Sequence, residues 1–102
     1  MRFFLISDSQ ETLHGLRLSG IEGIHVTERQ DVLDALYKCL DDPGIAIILI
    51  TGNLKAMCVK EVYSIMLERS LPLIVEIPAA GDVSPAGAGI LDYIHKAIGL
   101  TL

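Results

Sequence analysis

The run Ile45-Ala46-Ile47-Ile48-Leu49-Ile50 is the feature that most narrows what this chain can fold into. It has no polar alternation, so it does not read as a strand with one wet face, and its β-branched content disfavours a helix. A strand covered on both faces is what remains. It is the longest uninterrupted apolar run in the chain and falls far short of the about 20 residues that a membrane span requires. Strands of this kind belong to parallel sheets with crossover helices on both faces, and the flanking sequence supplies such helices.

Upstream, Phe3 to Ser7 reads as a short strand, and Asp8 followed three residues later by Glu11 has the spacing of a capping box. The helix that follows carries Leu13 and Leu16, with Gly20 placed to take a left-handed C-terminal position. Gly23 to Val26 reads as a second strand, and Thr27 with Gln30 repeats the capping-box spacing. In the second helix Val32, Leu36 and Leu40 form one inward row and Leu33 with Tyr37 an adjacent one, opposite Asp31, Asp34, Lys38 and Asp41. Asp42-Pro43-Gly44 stops it. After the central strand, Leu54, Cys58, Val62 and Ile65 or Met66 mark a third, longer helix that closes near Ser70 and Pro72. Leu73 to Ile77 is the fourth strand.

From Pro78 to Gly89 the composition turns to Gly, Ala and Pro, which reads as a flexible linker. Ile90, Leu91, Ile94 and Ile98 then restore a helical stripe ended by Gly99. The expected organisation is an α/β domain over 1–77, a linker over 78–89 and a C-terminal helix and tail over 90–102. Alternating units of this length with right-handed crossovers predict a four-stranded parallel sheet of order 2-1-3-4, flavodoxin- or receiver-like (Rossmann-like) but one strand short.

Composition removes several function classes. At 102 residues with 51% hydrophobic and 21% charged, the chain has a core and is not disordered. Its net charge of −5 comes without any two adjacent Lys or Arg, so nucleic acid and anionic membranes are not expected partners. Phe3 to Ile6 is too short for the apolar region of a secretory signal, which favours the cytoplasm. Cys39 and Cys58 both fall on helical apolar stripes, where a thiol packs as a small hydrophobe.

In a sheet of this order ligands bind outside the carboxyl ends of strands 1 and 3, which here carry Ser7, Asp8, Ser9 and Thr51, Gly52, Asn53. These residues read as helix caps in preference to a cation site, because Asp8 is the only acid among them. Strand 3 ends without the phosphorylated Asp of a receiver, and no Gly-Lys-Ser/Thr follows a strand. His14, His25 and His95 lie in separate elements without metal-ligand spacing, and neither Cys has a basic neighbour in sequence to activate it. No catalytic, cofactor-binding or metal-binding residue is therefore assigned. Glu76 stands out as the ionisable group within the apolar strand Leu73 to Ile77; it must reach solvent, a basic partner or another chain.

Several tracts, in order along the chain, resemble one family. They are Phe3-Phe4-Leu5-Ile6-Ser7-Asp8, Thr12-Leu13 with Gly15-Leu16-Arg17-Leu18, and Gly20-Ile21-Glu22-Gly23. Ile47 to Thr51, Leu67-Glu68-Arg69, Leu71 to Pro78, and the tail containing Ile90-Leu91, Tyr93-Ile94 and Ala97-Ile98-Gly99 continue the match. Over nearly its whole length the chain resembles the family of F subunits of the prokaryotic V-type (A/V-type) ATPases and ATP synthases. That resemblance implies a non-catalytic subunit of the rotor's central stalk, without a cofactor of its own. It would be seated on the coiled-coil D subunit within the ring of A and B subunits, on the cytoplasmic side and peripheral to the membrane. ATP hydrolysis or synthesis in the ring would be coupled through it to H⁺ or Na⁺ movement. Glu76, Ile90, Leu91, Tyr93, Ile94, Ala97 and Ile98 are the expected partner contacts. Pro78 to Val83 carries no Arg or Lys, unlike the more charged linker associated with bacterial members. Two other readings share the fold: a receiver-like adaptor without the phosphoacceptor Asp, and a small flavodoxin-like ligand-binding protein or enzyme.

Overall fold

The structure, a computed structural model, describes residues 2–78. In chain order these form β1 (Arg2–Ser7), α1 (Gln10–Arg17), β2 (Glu22–His25), α2 (Arg29–Leu40), β3 (Ile45–Thr51), α3 (Gly52–Met57), α4 (Val59–Glu68) and β4 (Leu73–Ile77). The four strands make one parallel sheet in the order β2-β1-β3-β4, as the periodicity predicts. Of the linker expected at 78–89 and the helix and tail expected at 90–102, all but Pro78 lie outside the described residues. Among the described residues, no helix is long and apolar enough to cross a membrane.

β3 is the central strand, and of the Ile45 to Ile50 run all but the half-buried Ile47 are buried, whichever face they point to. On one face Ile48 and Ile50 join Ile6 of β1, the α2 residues Val32, Leu33, Leu36 and Cys39, and Leu54, Cys58 and Val62 from α3 and α4. On the other, Leu49, Leu5 and Ile77 meet Leu13 and Leu16 of α1. Among the described residues, one helix thus serves the second face while three serve the first.

Three local expectations are corrected. The cap of α1 is Ser9, whose side chain accepts from the Thr12 N–H, and not Asp8, whose carboxylate is engaged elsewhere. The cap of α2 is Glu28 with no side-chain bond, so Thr27 and Gln30 form no capping box; Gln30 instead donates to Asp34 at 3.0 Å. The single long third helix is two helices broken at Cys58, where φ −130° and ψ 35° leave the helical region. Arg29 explains how the break is tolerated. Its Nε donates to the Met57 carbonyl at 3.3 Å while its guanidinium pairs with Glu61 beyond the break. The inward stripe Leu54, Cys58, Val62, Ile65 stays buried across the bend, which the periodicity does report.

Gly20 takes φ +87° as expected, and the bonds from its N–H to Arg17 and from the Ile21 N–H to Leu16 close α1. Gly23, which the sequence does not single out, is the tighter position. A Cβ there would lie 2.7 Å from both Leu5 Cβ and the Leu5 carbonyl oxygen, so β2 can lie against β1 only with glycine at this point.

Both cysteines are free and buried. Burial, with a smaller push from the Asp42 charge, raises the Cys39 thiol to about 11. Burial also raises Cys58, against the pull of Arg29 and with a further push from Glu61. Since the thiolate is the reactive form, neither should react with an aromatic disulfide reagent at mildly alkaline pH in the folded protein. Both should react in denaturant, about tenfold or more faster; rapid labelling of either thiol under native conditions would contradict its position in the core.

Candidate functional site

The crevice outside the carboxyl ends of β1 and β3 is where this sheet order would place a ligand. Its polar side chains are engaged with one another. Thr51, buried at the end of β3, donates from Oγ1 to Asp8 Oδ1 at 2.9 Å, and Asn53 Nδ2 donates to Asp8 Oδ2 at 3.2 Å. The Asp8 N–H reaches back to Thr51 Oγ1 at 3.4 Å. His25 Nε2 lies 3.2 Å from the Asp8 carbonyl oxygen, and because a carbonyl can only accept, that nitrogen carries the proton. Buried Ser7 accepts the Ser9 N–H and donates to the Ser9 carbonyl, both at 2.9 Å, which shapes the turn into α1.

Asp8 is thus not the helix cap but the tie that joins the ends of β1, β2 and β3. Both carboxylate oxygens already face neutral donors. Among the described residues, no group of three or more His, Cys, Asp or Glu side chains is placed to hold a metal ion. The expected helix-capping role passes to Ser9, one residue further on.

Glu76 finds a basic partner. In β4 it pairs in register with Ile50, and Oε1 lies 3.3 Å from Lys55 Nζ, with the glutamate side chain half exposed. An ion pair this open contributes at most about 1 kcal/mol. Oε2 lies close over Gly52, where an added Cβ would come within 2.9 Å of it. Lys55 also lies 6.0 Å from the centre of the Tyr63 ring. The remaining expected contacts, Ile90, Leu91, Tyr93, Ile94, Ala97 and Ile98, fall outside the described residues.

What the periodicity misses is an apolar surface on the outer side of α4. Val59, Tyr63, Met66 and Leu67 are exposed, Leu67 at 87%, and Leu71 continues the surface towards β4. The signal is present in Val59-Lys-Glu-Val-Tyr-Ser-Ile-Met-Leu67, which has apolar residues on two sides of the helix where a surface helix needs one. Of the pair Ile65 and Met66, Ile65 faces the core and Met66 faces out. Contiguous apolar surface of this kind marks contact with other proteins.

Fold and site together define a flavodoxin-like α/β domain that uses its crevice residues to join strand ends and keeps apolar surface on a helix. The chain belongs to the ATP synthase (F/14-kDa) subunit family, whose model matches residues 4–97. This match supports the V-type ATPase family that the sequence resembles, and it makes the chain a component of a multi-subunit ATPase assembly. No curated protein sequence gives a significant match.

Proposed function

We propose that the chain is a non-catalytic subunit of the central stalk of a V-type ATPase or ATP synthase. In this reading it turns with the coiled-coil D subunit inside the ring of A and B subunits, on the cytoplasmic side. It thereby couples nucleotide turnover in the ring to H⁺ or Na⁺ transport. The observation that carries the reading is the family match, which covers the sheet domain and continues to residue 97, through the expected terminal helix. The exposed side of α4 is consistent with a domain that meets other subunits. Glu76 and the stripe Ile90, Leu91, Tyr93, Ile94, Ala97 and Ile98 are the proposed contacts with the coiled coil or the ring. The deciding experiment is co-purification. A tagged copy expressed with the A, B and D subunits of its own assembly should be recovered with the coiled-coil subunit at a fixed ratio, and failure to bind that subunit would overturn the reading.

The division of labour gives a second expectation. The sequence has no Gly-Lys-Ser/Thr loop after a strand, and Asp8 is occupied by Thr51 and Asn53. Calorimetric titration of the isolated chain with Mg-ATP should therefore give no binding heat. Micromolar binding abolished by Asp8→Ala or Thr51→Ala would instead favour a ligand-binding protein of the flavodoxin type.

A further inference from the structure

β2 is an edge of the sheet, and among the described residues no strand pairs with its outer side. The register divides its backbone groups. The Val26 N–H bonds to the Ser7 carbonyl, and Ser7 is level with His25, so in this parallel ladder Glu22, Ile24 and Val26 bond inward to β1. The N–H and C=O groups of Gly23 and His25 therefore point outward, and among the described residues none of them has a backbone partner there. No proline, lysine or bulge, the usual protections of such an edge, interrupts Glu22 to Val26. Ile24 is 41% exposed, beside a groove lined by buried Val26 and Ala35 and by exposed Asp31, Asp34 and Lys38.

We infer that this edge is a self-association site, at which two copies of the free chain pair antiparallel through β2 and join their sheets. Three arguments select a second copy. The bonds fit: a twofold axis at Ile24 sets Gly23 of each copy opposite His25 of the other, and because an opposed pair of this kind exchanges both N–H and C=O, every outward group is used at once. The neighbouring registers fail, since one would need the Ile21 N–H, already held by the Leu16 carbonyl, and the other Thr27, beyond the end of β2. The side chains fit the same axis. The two Ile24 residues meet as a non-hydrogen-bonded pair, the closer kind, and cover each other's exposed surface. On the opposite face, where a Cβ at position 23 would clash with Leu5 and Leu13, glycine leaves room for the other copy's His25 ring. Charge fits as well. α1 carries Glu11 in its first turn and Arg17 in its last, and α2 carries Asp31 in its first turn, then Asp34, with Lys38 in its last. The axis sets each helix antiparallel to its counterpart, so on both faces the acidic start of one faces the basic end of the other. A strand from another protein could match the bonds, but a second copy brings both complementary helices with it. The pairing concerns the free chain and stands or falls separately from the rotor reading.

Analytical ultracentrifugation and amide hydrogen exchange on the full chain test it. The weight-average mass should rise from one chain towards two as concentration increases. Over the same range the Gly23 and His25 amides should slow at least about tenfold, while those of α4 stay unchanged. Ile24→Lys sets like charges directly opposite each other at an exposed position, so it should raise the concentration of half-association at least about tenfold with the β3 amides still protected. Ile24→Thr, which keeps the β-branched shape, is the second variant should the Lys form lose β3 protection, and it should weaken association in the same direction. Met66→Asp, on the outer side of α4, should leave association as it is. The inference is overturned by a chain that stays single at every concentration, by a dimer whose Gly23 and His25 amides gain no protection, by association that survives both Ile24 variants or is lost in Met66→Asp, or by protection that appears only when another subunit is added.

Discussion

Leu36→Ala and Ile48→Ala are each expected to remove about 2–5 kcal/mol of folding stability, a large share of the about 5–15 kcal/mol that a domain possesses. Both side chains are fully buried in the same cluster, Leu36 on the inward row of α2 and Ile48 at the middle of β3. Neither site has a ready way to collapse. Ile48 is flanked by the register partners Phe4 and Ile74, so closing a cavity there would move β3, whose backbone is bonded to β1 on one side and to β4 on the other. Leu36 sits among Val32, Leu33 and Cys39 on a helix that must keep its place over the sheet. Urea melts of the two variants should show lower midpoints or no folded baseline. A loss below about 0.5 kcal/mol, the range of surface substitutions, would mean that the positions are not core and that the strand register is wrong.

The contrast with the helix ends shows what the sequence can and cannot report. Ile48 is predicted as core because an uninterrupted apolar run has one physical solution in a small α/β domain, and Leu36 because a row four residues apart selects one helix face. A cap depends on a single hydrogen bond worth about 1 kcal/mol, and two polar residues at neighbouring positions compete for it. Asp8 and Ser9 both qualify by type; Thr51 and Asn53, more than forty positions away in the chain, decide the matter by occupying the Asp8 carboxylate. The bend at Cys58 is hidden for a similar reason, since the inward stripe continues through it and the group that compensates the broken turn is Arg29 on another helix. Glu76 is conspicuous in an apolar strand, but its partner Lys55 comes from α3, which only the fold brings near. Local periodicity therefore reveals the sheet and its order, whereas the polar contacts at the site are set by pairs that sequence distance conceals.

Deleting residues 87–102 should test the partner-binding role proposed for the C-terminal segment. Among the described residues, the cluster beneath α2, α3 and α4 already ties these helices to the sheet, so the sheet domain should remain folded without the tail. In the assembly, the loss of Ile90, Leu91, Tyr93, Ile94, Ala97 and Ile98 should weaken attachment to the coiled-coil D subunit by about tenfold, equivalent to about 1.4 kcal/mol, or change the ATPase rate of the reconstituted complex. Ile94→Asp in the full chain is the finer probe, since it removes one apolar contact without shortening the protein. Unchanged coiled-coil binding together with an unchanged ATPase rate would end the proposed docking role in the assembly.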